Sequence, residues 1–402
     1  MGAGVAKLLI ASAPAIAVRG GTTYSLDGIA VRSRAKARPA WIPSALLGED
    51  VEALVTSPDI DVVIECIGGT TVAADAIETA LRSGKHVVTA NKDVLATRGP
   101  QLRALAAQHR VTIAYEAAVG GAIPIVRTIA ESLAGEDILE VGGVLNGTTN
   151  FILSEMFAGA TYERALERAQ ALGFAEADPT NDVEGVDAAH KLAILVQLGF
   201  RRALVATSVP RTGITGVTSE DVSLGKRLGL RIKLIACARA EGSIVTPAFV
   251  AAEHAFAKPS GAQNCIRVIG RSSGSLTFSG TGAGSAPTAS AVIGDVVSVL
   301  RSIEAGRHGA RVPDQTLTPV AGIERAPALG HVVRVRTLGD VRPAREALAE
   351  ANVPATIFDG VPALCSAATN DGDAVRTILS ERRIAVAGIL PLWEDAPAPS
   401  EE

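Results

Sequence analysis

Between residues 51 and 119 the chain alternates amphipathic runs of helical period with short apolar runs that stop at glycines or a polar pair. DVEALVTSP reads as a short helix, and DIDVVIECIGG as a buried strand closed by Gly68 and Gly69. TVAADAIETALRSG reads as an amphipathic helix stopped at Gly84, and KHVVTANK as a strand ending at Asn91 and Lys92. QLRALAAQHR is then a helix, and VTIAYEAAVGG a strand running to Gly120 and Gly121. Upstream, GVAKLLIASAP has helical character, and YSLDGIAVRSR reads as a strand followed by Arg32 and Arg34. Near-continuous apolar strands joined by crossover helices imply a parallel sheet covered on both faces. The fold class is therefore α/β, a Rossmann-type doubly wound sheet. Ligand groups in such a sheet gather at the carboxyl ends of the strands, where Arg32, Gly68, Gly69 and Lys92 fall.

A dinucleotide-binding sheet of this kind opens with a strand and G-x-G-x-x-G, whose backbone cradles a pyrophosphate at a helix N-terminus. Here MGAG leads directly into the helix, so Gly2 takes the place of the last fingerprint glycine. The first strand is missing, and the expectation is that the natural chain starts upstream of Met1. That strand is central in the six-strand order, so its neighbours need other partners for their N–H and C=O groups.

Beyond Val119 the pattern changes to that of an α+β domain. GGAIPIVRTIAESLAG reads as a helix between Pro124 and Gly135, DILEVGGVL as a strand, NGTTN as a polar turn, and ERALERAQALG as a helix. The stretch LGFAEADPTNDVEGVDAAHKL then places Glu176, Asp178, Asp182, Glu184 and Asp187 ahead of one cation, Lys191, which opens the apolar run LAILVQLGF. Asp187 and Lys191 are i to i+4 and share a helix face, with Glu184 one turn earlier on roughly the same face. An exposed pair of this kind contributes only about 0.3–0.5 kcal/mol. The acidic density and the DP and ND turn signals make the stretch read instead as a pocket wall feeding one cation into an apolar bundle. Further on, GTGAG before an Ala- and Val-rich helix offers Gly282 and Gly284 as a second backbone nest. Residues 311–327 read as a linker, 328–394 as a ferredoxin-like β-α-β-β-α-β succession, and 395–402 as a disordered tail.

Composition removes several classes. A net charge of −4 supplies no basic field for nucleic acid. The four cysteines are far apart and form no C-x-x-C, and the six histidines show no H-E-x-x-H, which argues against a disulfide framework or a zinc site. No run reaches the roughly 18 apolar residues of a membrane span. Lys7 followed by LLIASAPAIA imitates a secretory signal, but Pro14 interrupts the run, and a cytoplasmic protein is expected.

Six motifs then coincide with one family. TANK at 89–92, YEAAVGGAIPIVR at 115–127, LNGTTNFIL at 145–153, the acidic stretch at 172–192, TGITGVTSEDV at 212–222 and GTGAGSAPTA at 280–289 resemble the homoserine dehydrogenases, in order and spacing. The resemblance runs from about residue 2 to residue 310. It implies reversible NAD(P)-dependent reduction of L-aspartate 4-semialdehyde to L-homoserine. By that resemblance Lys191 protonates the carbonyl oxygen, Lys92 stands at the cofactor–substrate junction, and Glu176, Asp182, Asp187 and Gly173 lie at the substrate. Gly2, Arg32, Gly68, Gly69, Lys92, Gly282 and Gly284 lie at the cofactor. The basic Arg32 and Arg34, with no acid beside them, favour NADP over NAD. The resemblance also implies a monovalent cation such as Na+ on backbone carbonyls of Glu116, Val119, Gly121 and Ile123, and a homodimer or homotetramer. Implied domains are 1–123 for NAD(P), completed by about 285–310; 124–284 for substrate, catalysis and dimerisation; and 328–394, an ACT-type regulatory module. In that module Leu338–Val341 departs from the family's turn. Two other readings remain: a non-catalytic, amino-acid-sensing dimer that has lost cofactor binding, and a relative acting on another small amino-acid aldehyde.

Overall fold

In the computed structural model of the chain, the described residues are 1–306, 317–319, 330–336, 342–351, 355–357, 364–367, 372–382 and 384–393. Much of the expected linker, the turn at Leu338–Val341 and the tail at 395–402 lie outside them. Two compact units are present: Met1–Glu136 with His190–Ser208 and Phe278–Gly322, and Asp137–Ala189 with Val209–Thr277 and Ile323–Glu402. Together they make a mixed α/β fold with parallel sheets, a Rossmann-like unit and a second, α+β unit.

In the first unit, strands Val62–Glu65, His86–Thr89 and Ile113–Ala114 form a parallel sheet in that order. Alternation along His86–Thr89 sends successive side chains to opposite faces. Val88 enters a core with Val5, Leu9, Val292, Val296 and Leu300, whereas Val87 packs with Ile77, Leu81, Val94 and Leu102. Strands Ile29–Ala30 and Leu47–Gly48 pair in parallel as a separate two-stranded sheet.

Three expectations shift here. The helix expected from Gln101 runs from Lys92 to Gln108, with Pro100 inside it. Proline reads locally as a helix start, but burial of Val94, Leu95, Ala96 and Gly99 and an Asn91 N-cap carry the helix through it. The expected strand to Gly121 ends at Ala114, because buried Glu116 turns the chain. Its N–H donates to Asp295 Oδ2 (2.7 Å), and its carboxylate accepts from the N–H groups of Val126 (2.7 Å) and Arg127 (3.0 Å). Those two donors precede Thr128–Ser132, a single π-helical turn where a full helix was expected.

The 20-residue helix Ser285–Glu304 is long and apolar enough to cross a membrane by length and composition, although the sequence reading set aside any such run. It instead buries Ala289, Val292, Val296, Val299 and Leu300, with the carboxyl of Asp295, in the first unit's core.

The second unit is built on a long sheet. Its order is Gly274–Thr281, Gln263–Gly270, Ile138–Val144, Leu230–Arg239, Gly242–Ala251, Ala385–Leu392, Gly330–Arg336, Leu364–Ala367 and Ala355–Ile357. The last four strands, with helices Arg342–Glu350 and Gly372–Glu381, follow a β-α-β-β-α-β succession. They join the rest at one parallel pair, Leu392 with Phe249, and the next residue, Trp393, is buried against Phe256. Three charges are also buried here. Glu140 accepts from Arg239 Nε (2.8 Å) and Arg267 Nη2 (2.6 Å), and the Arg239 guanidinium lies 5.2 Å from the Trp393 ring.

Lys233, on Leu230–Arg239, donates to Asn150 Oδ1 (2.7 Å) and the Pro259 carbonyl (2.6 Å). Burial, then the Arg231 charge, pushes its ammonium down to about 8 from the usual 10.5. A depressed lysine disfavours the folded state most when it is charged in both states, below about pH 8. Stability should therefore rise between about pH 8 and 10.5, on the order of 3 kcal/mol for this group. Urea titrations of the wild type and Lys233→Met should diverge over that window, with the wild type gaining; parallel pH profiles would remove Lys233 as the source.

Candidate active site

The first cluster forms where two parallel strands end. Glu65 and Thr89 are register partners at the carboxyl edge of the first unit's sheet. Glu65 Oε1 accepts from Ile67 N–H (2.6 Å) and Gly68 N–H (3.0 Å), and Oε2 from the Thr89 hydroxyl (2.5 Å). Thr89 Oγ1 in turn accepts from Asn91 N–H at 3.0 Å, and Asn91 Nδ2 donates to the Gly69 carbonyl at 2.8 Å. One buried acid thus draws the two strand-exit loops together. Gly68 and Gly69 are left-handed, with φ of 78° and 74°, which admits that tight turn without Cβ strain.

A cavity of about 140 Å³ opens on this edge, lined by Met1, Glu65, Cys66, Gly68, Asn91 and Lys92 among others. Burial, then the Glu65 charge, pushes the Cys66 thiol up to about 11, so the wall there is a neutral thiol. Met1 caps the helix Gly2–Ala11, whose positive end adjoins the same cavity. A helix N-terminus, a left-handed glycine pair and an ammonium suit a phosphate-bearing nucleotide. Arg32 lies apart, exposed after Ile29–Ala30, and the Arg34 N–H donates to the Glu49 carboxylate (2.5 Å). Glu49 follows the neighbouring strand, and its place beside Arg34 is not legible from the order of residues.

Lys92 is the first residue of its helix, and the next residue, Asp93, meets His190 Nδ1 at 2.7 Å. His190 directly precedes Lys191 on the helix Val186–Gly199. The contact therefore ties the turn that carries Lys92 to the one that carries Lys191. Arg103 and Gln197 join the same two helices further along, at 3.0 Å. Lys191 is buried, and the apolar residues that follow, Leu192 to Val196, are fully buried.

The glycine loop after Glu116 turns on Gly120 and Gly121, with φ of 73° and 60°. A Cβ on Gly121 would stand 2.6 Å from the Gly282 carbonyl oxygen and 2.9 Å from that of Thr281. Both carbonyls are backbone, so Gly121→Ala should lower Tm by several degrees, through strain on the order of 1–3 kcal/mol. A thermal melt matching the wild type would show that the loop yields freely. Gly282 is buried, and Gly284 caps the helix Ser285–Glu304. Val119 and Ile123, on either side of the glycine pair, are buried as well. Among the described residues, no group of three or more His, Cys, Asp or Glu side chains could hold a metal ion.

In the second unit the acids converge on a residue outside the expected set. Asn146 Nδ2 donates to Asp182 Oδ1 (2.7 Å) and Asp187 Oδ2 (2.9 Å). NGTTN is not a turn: Asn146 N-caps the helix Gly147–Ala158, with Oδ1 accepting from Thr149 N–H (2.8 Å). Glu184 leaves the expected face, because Gly185 (φ 75°) separates it from the helix that begins at Val186. It accepts instead from the Thr215 hydroxyl at 3.0 Å. Glu176 and Gly173 lie on an exposed loop, which is held where Thr148 Oγ1 donates to the Phe174 carbonyl (2.7 Å).

A parallel α/β unit with a nucleotide-fitting cavity and a buried lysine, and a second unit that gathers carboxylates on one amide, fit the class of nicotinamide-dependent dehydrogenases. The comparisons agree. The family pattern described as homoserine dehydrogenase matches residues 124–297, and that of the homoserine dehydrogenase NAD-binding domain matches 2–116. A homoserine dehydrogenase of Mycobacterium tuberculosis (strain H37Rv) is 45% identical over 331 residues, 80% of this chain and 75% of its own. A solved homoserine dehydrogenase from Thiobacillus denitrificans superposes with a TM-score of 0.87 at 34% identity, covering 98% of this chain and 96% of its own. A hyperthermophilic archaeal homoserine dehydrogenase, solved in complex with NADPH, matches 62% of this chain and 74% of its own at 27% identity and a TM-score of 0.55. The chain belongs to the homoserine dehydrogenase family.

Proposed function

We propose that the chain catalyses the reversible, NAD(P)-dependent reduction of L-aspartate 4-semialdehyde to L-homoserine. The observation that carries this reading is the Asp182–Asn146–Asp187 cluster, with Lys191 one helical turn beyond Asp187. The nicotinamide cofactor, when bound, supplies or takes the hydride. Gly68 and Gly69 would hold its phosphate-bearing end beside the helix at Gly2, Gly282 and Gly284 would lie along it, and Lys92 would stand as a catalytic lysine where cofactor and substrate meet. Arg32 favours NADP. Asp182, Asp187 and Glu176 bind the substrate's α-ammonium group, and Gly173 lets the loop turn over it. The Lys191 ammonium stabilises the charge that grows on the aldehyde oxygen, and its Nζ gives that oxygen a proton. In the reverse direction Lys191 takes the proton from the hydroxyl of homoserine.

A monovalent cation such as Na+ is proposed on the carbonyls of Glu116, Val119, Gly121 and Ile123, where the left-handed glycines turn the backbone. Also proposed are a cytoplasmic homodimer or homotetramer, an ACT-type role for the β-α-β-β-α-β segment, and the domain boundaries given above. The test is oxidation of NADPH in the presence of aspartate semialdehyde. A rate that depends on both compounds supports the reading. No turnover by a folded chain, or preference for a different aldehyde, would replace it.

A further inference from the structure

Asp182 and Asp187 share one amide. Asn146 is 3% exposed, and both N–H bonds of its side chain are used, one on each acid. Its orientation is not arbitrary. Oδ1 accepts from the N–H and the hydroxyl of Thr149, at 2.8 and 2.9 Å, and reversing the amide would set its oxygen against two carboxylates. Two acids that repel each other therefore hold their spacing through a neutral fork that is itself locked at the back. Asp182 comes from the short helix Thr180–Val183 and Asp187 from the helix beginning at Val186, with left-handed Gly185 between them. The backbone turn between them is held where Gly185 N–H donates to the Asp182 carbonyl (3.0 Å), and the shared amide links the two carboxylates beyond it.

We propose that Asn146 is the positioning residue for ammonium recognition: it holds Asp182 and Asp187 in the one arrangement that receives the substrate's α-ammonium group. The proposal rests on the reading of these two acids as substrate ligands given above. Asn146 touches neither reacting atom nor cofactor in this role.

Because Asn146 also caps the helix Gly147–Ala158, the test must separate the two tasks. Serine and threonine are both good N-caps, yet neither offers two N–H donors. Asn146→Ser and Asn146→Thr should melt within a few degrees of the wild type and keep their KM for NADP. Their KM for L-homoserine should rise about tenfold or more, a factor corresponding to about 1.4 kcal/mol, with a smaller change in kcat. An unchanged KM for homoserine in both variants overturns the proposal. So does a rise that appears only with a large fall in Tm and an equal rise in the KM for NADP, which marks a structural role alone. Asp187→Asn serves as the reference. If it leaves the KM for homoserine unaltered, the assignment of the acids to substrate fails and the proposal with it. If it raises that KM while the Asn146 variants do not, the proposal alone fails.

Discussion

Lys191→Ala is expected to lower kcat for aspartate-semialdehyde reduction by roughly 10²–10⁴-fold, the range removed with a positioned general acid. That corresponds to about 3–5 kcal/mol of transition-state stabilisation. The charge on the aldehyde oxygen is largest in the transition state, so the loss should fall on kcat more than on the KM for substrate. Fold should survive, since the helix is held below Lys191 by the fully buried Leu192, Ile194, Leu195 and Val196. Lys191→Arg keeps a charge but presents a flat, wider donor group, and should recover little. Steady-state kinetics beside a thermal melt decide the matter. A near-normal rate in a folded Lys191→Ala protein would take this residue out of the mechanism.

The largest expected loss of stability lies away from the site. Glu140 is fully buried and carries both Arg239 and Arg267 on its two oxygens. Glu140→Ala leaves two buried guanidinium groups without their counter-charge, and breaking such a pairing costs about 3–5 kcal/mol. At about 2–4 °C per kcal/mol for a domain of this size, Tm should fall by roughly 10 °C. Glu140→Gln keeps one acceptor and should fall between alanine and the wild type. Arg239 also lies over Trp393 at the junction with the C-terminal strands, so fluorescence of that tryptophan should shift in the same variants. Melts that coincide with the wild type would show that water or a rearranged partner replaces the carboxylate.

How far the fold was legible depended on whether the signal was local. Val62–Glu65, Val72–Arg82 and His86–Thr89 lie within the runs that read as strand, helix and strand, because the period of apolar residues is set by which face is buried. Gly84, with φ of 73°, stops its helix as expected. The helix through Pro100 was not legible. Its N-cap lies nine residues upstream of the proline, and the burial that holds it comes from other elements. The turn at Glu116 was equally hidden, since its N–H is met by Asp295, far along the chain.

The candidate site divides in the same way. The order of residues alone determined that acids precede one lysine, that glycines stand at strand exits, and that the motifs are those of one dehydrogenase family. Only the tertiary structure decided which acids act together. Asp182 and Asp187 meet on Asn146, Glu184 turns away at Gly185, and Glu65 and Thr89 join two strand ends that are 24 residues apart. Helical and strand periods report whether a side chain is buried. Which polar groups it meets there depends on chain segments distant in sequence, because a buried donor or acceptor must be satisfied by whatever the fold brings to it.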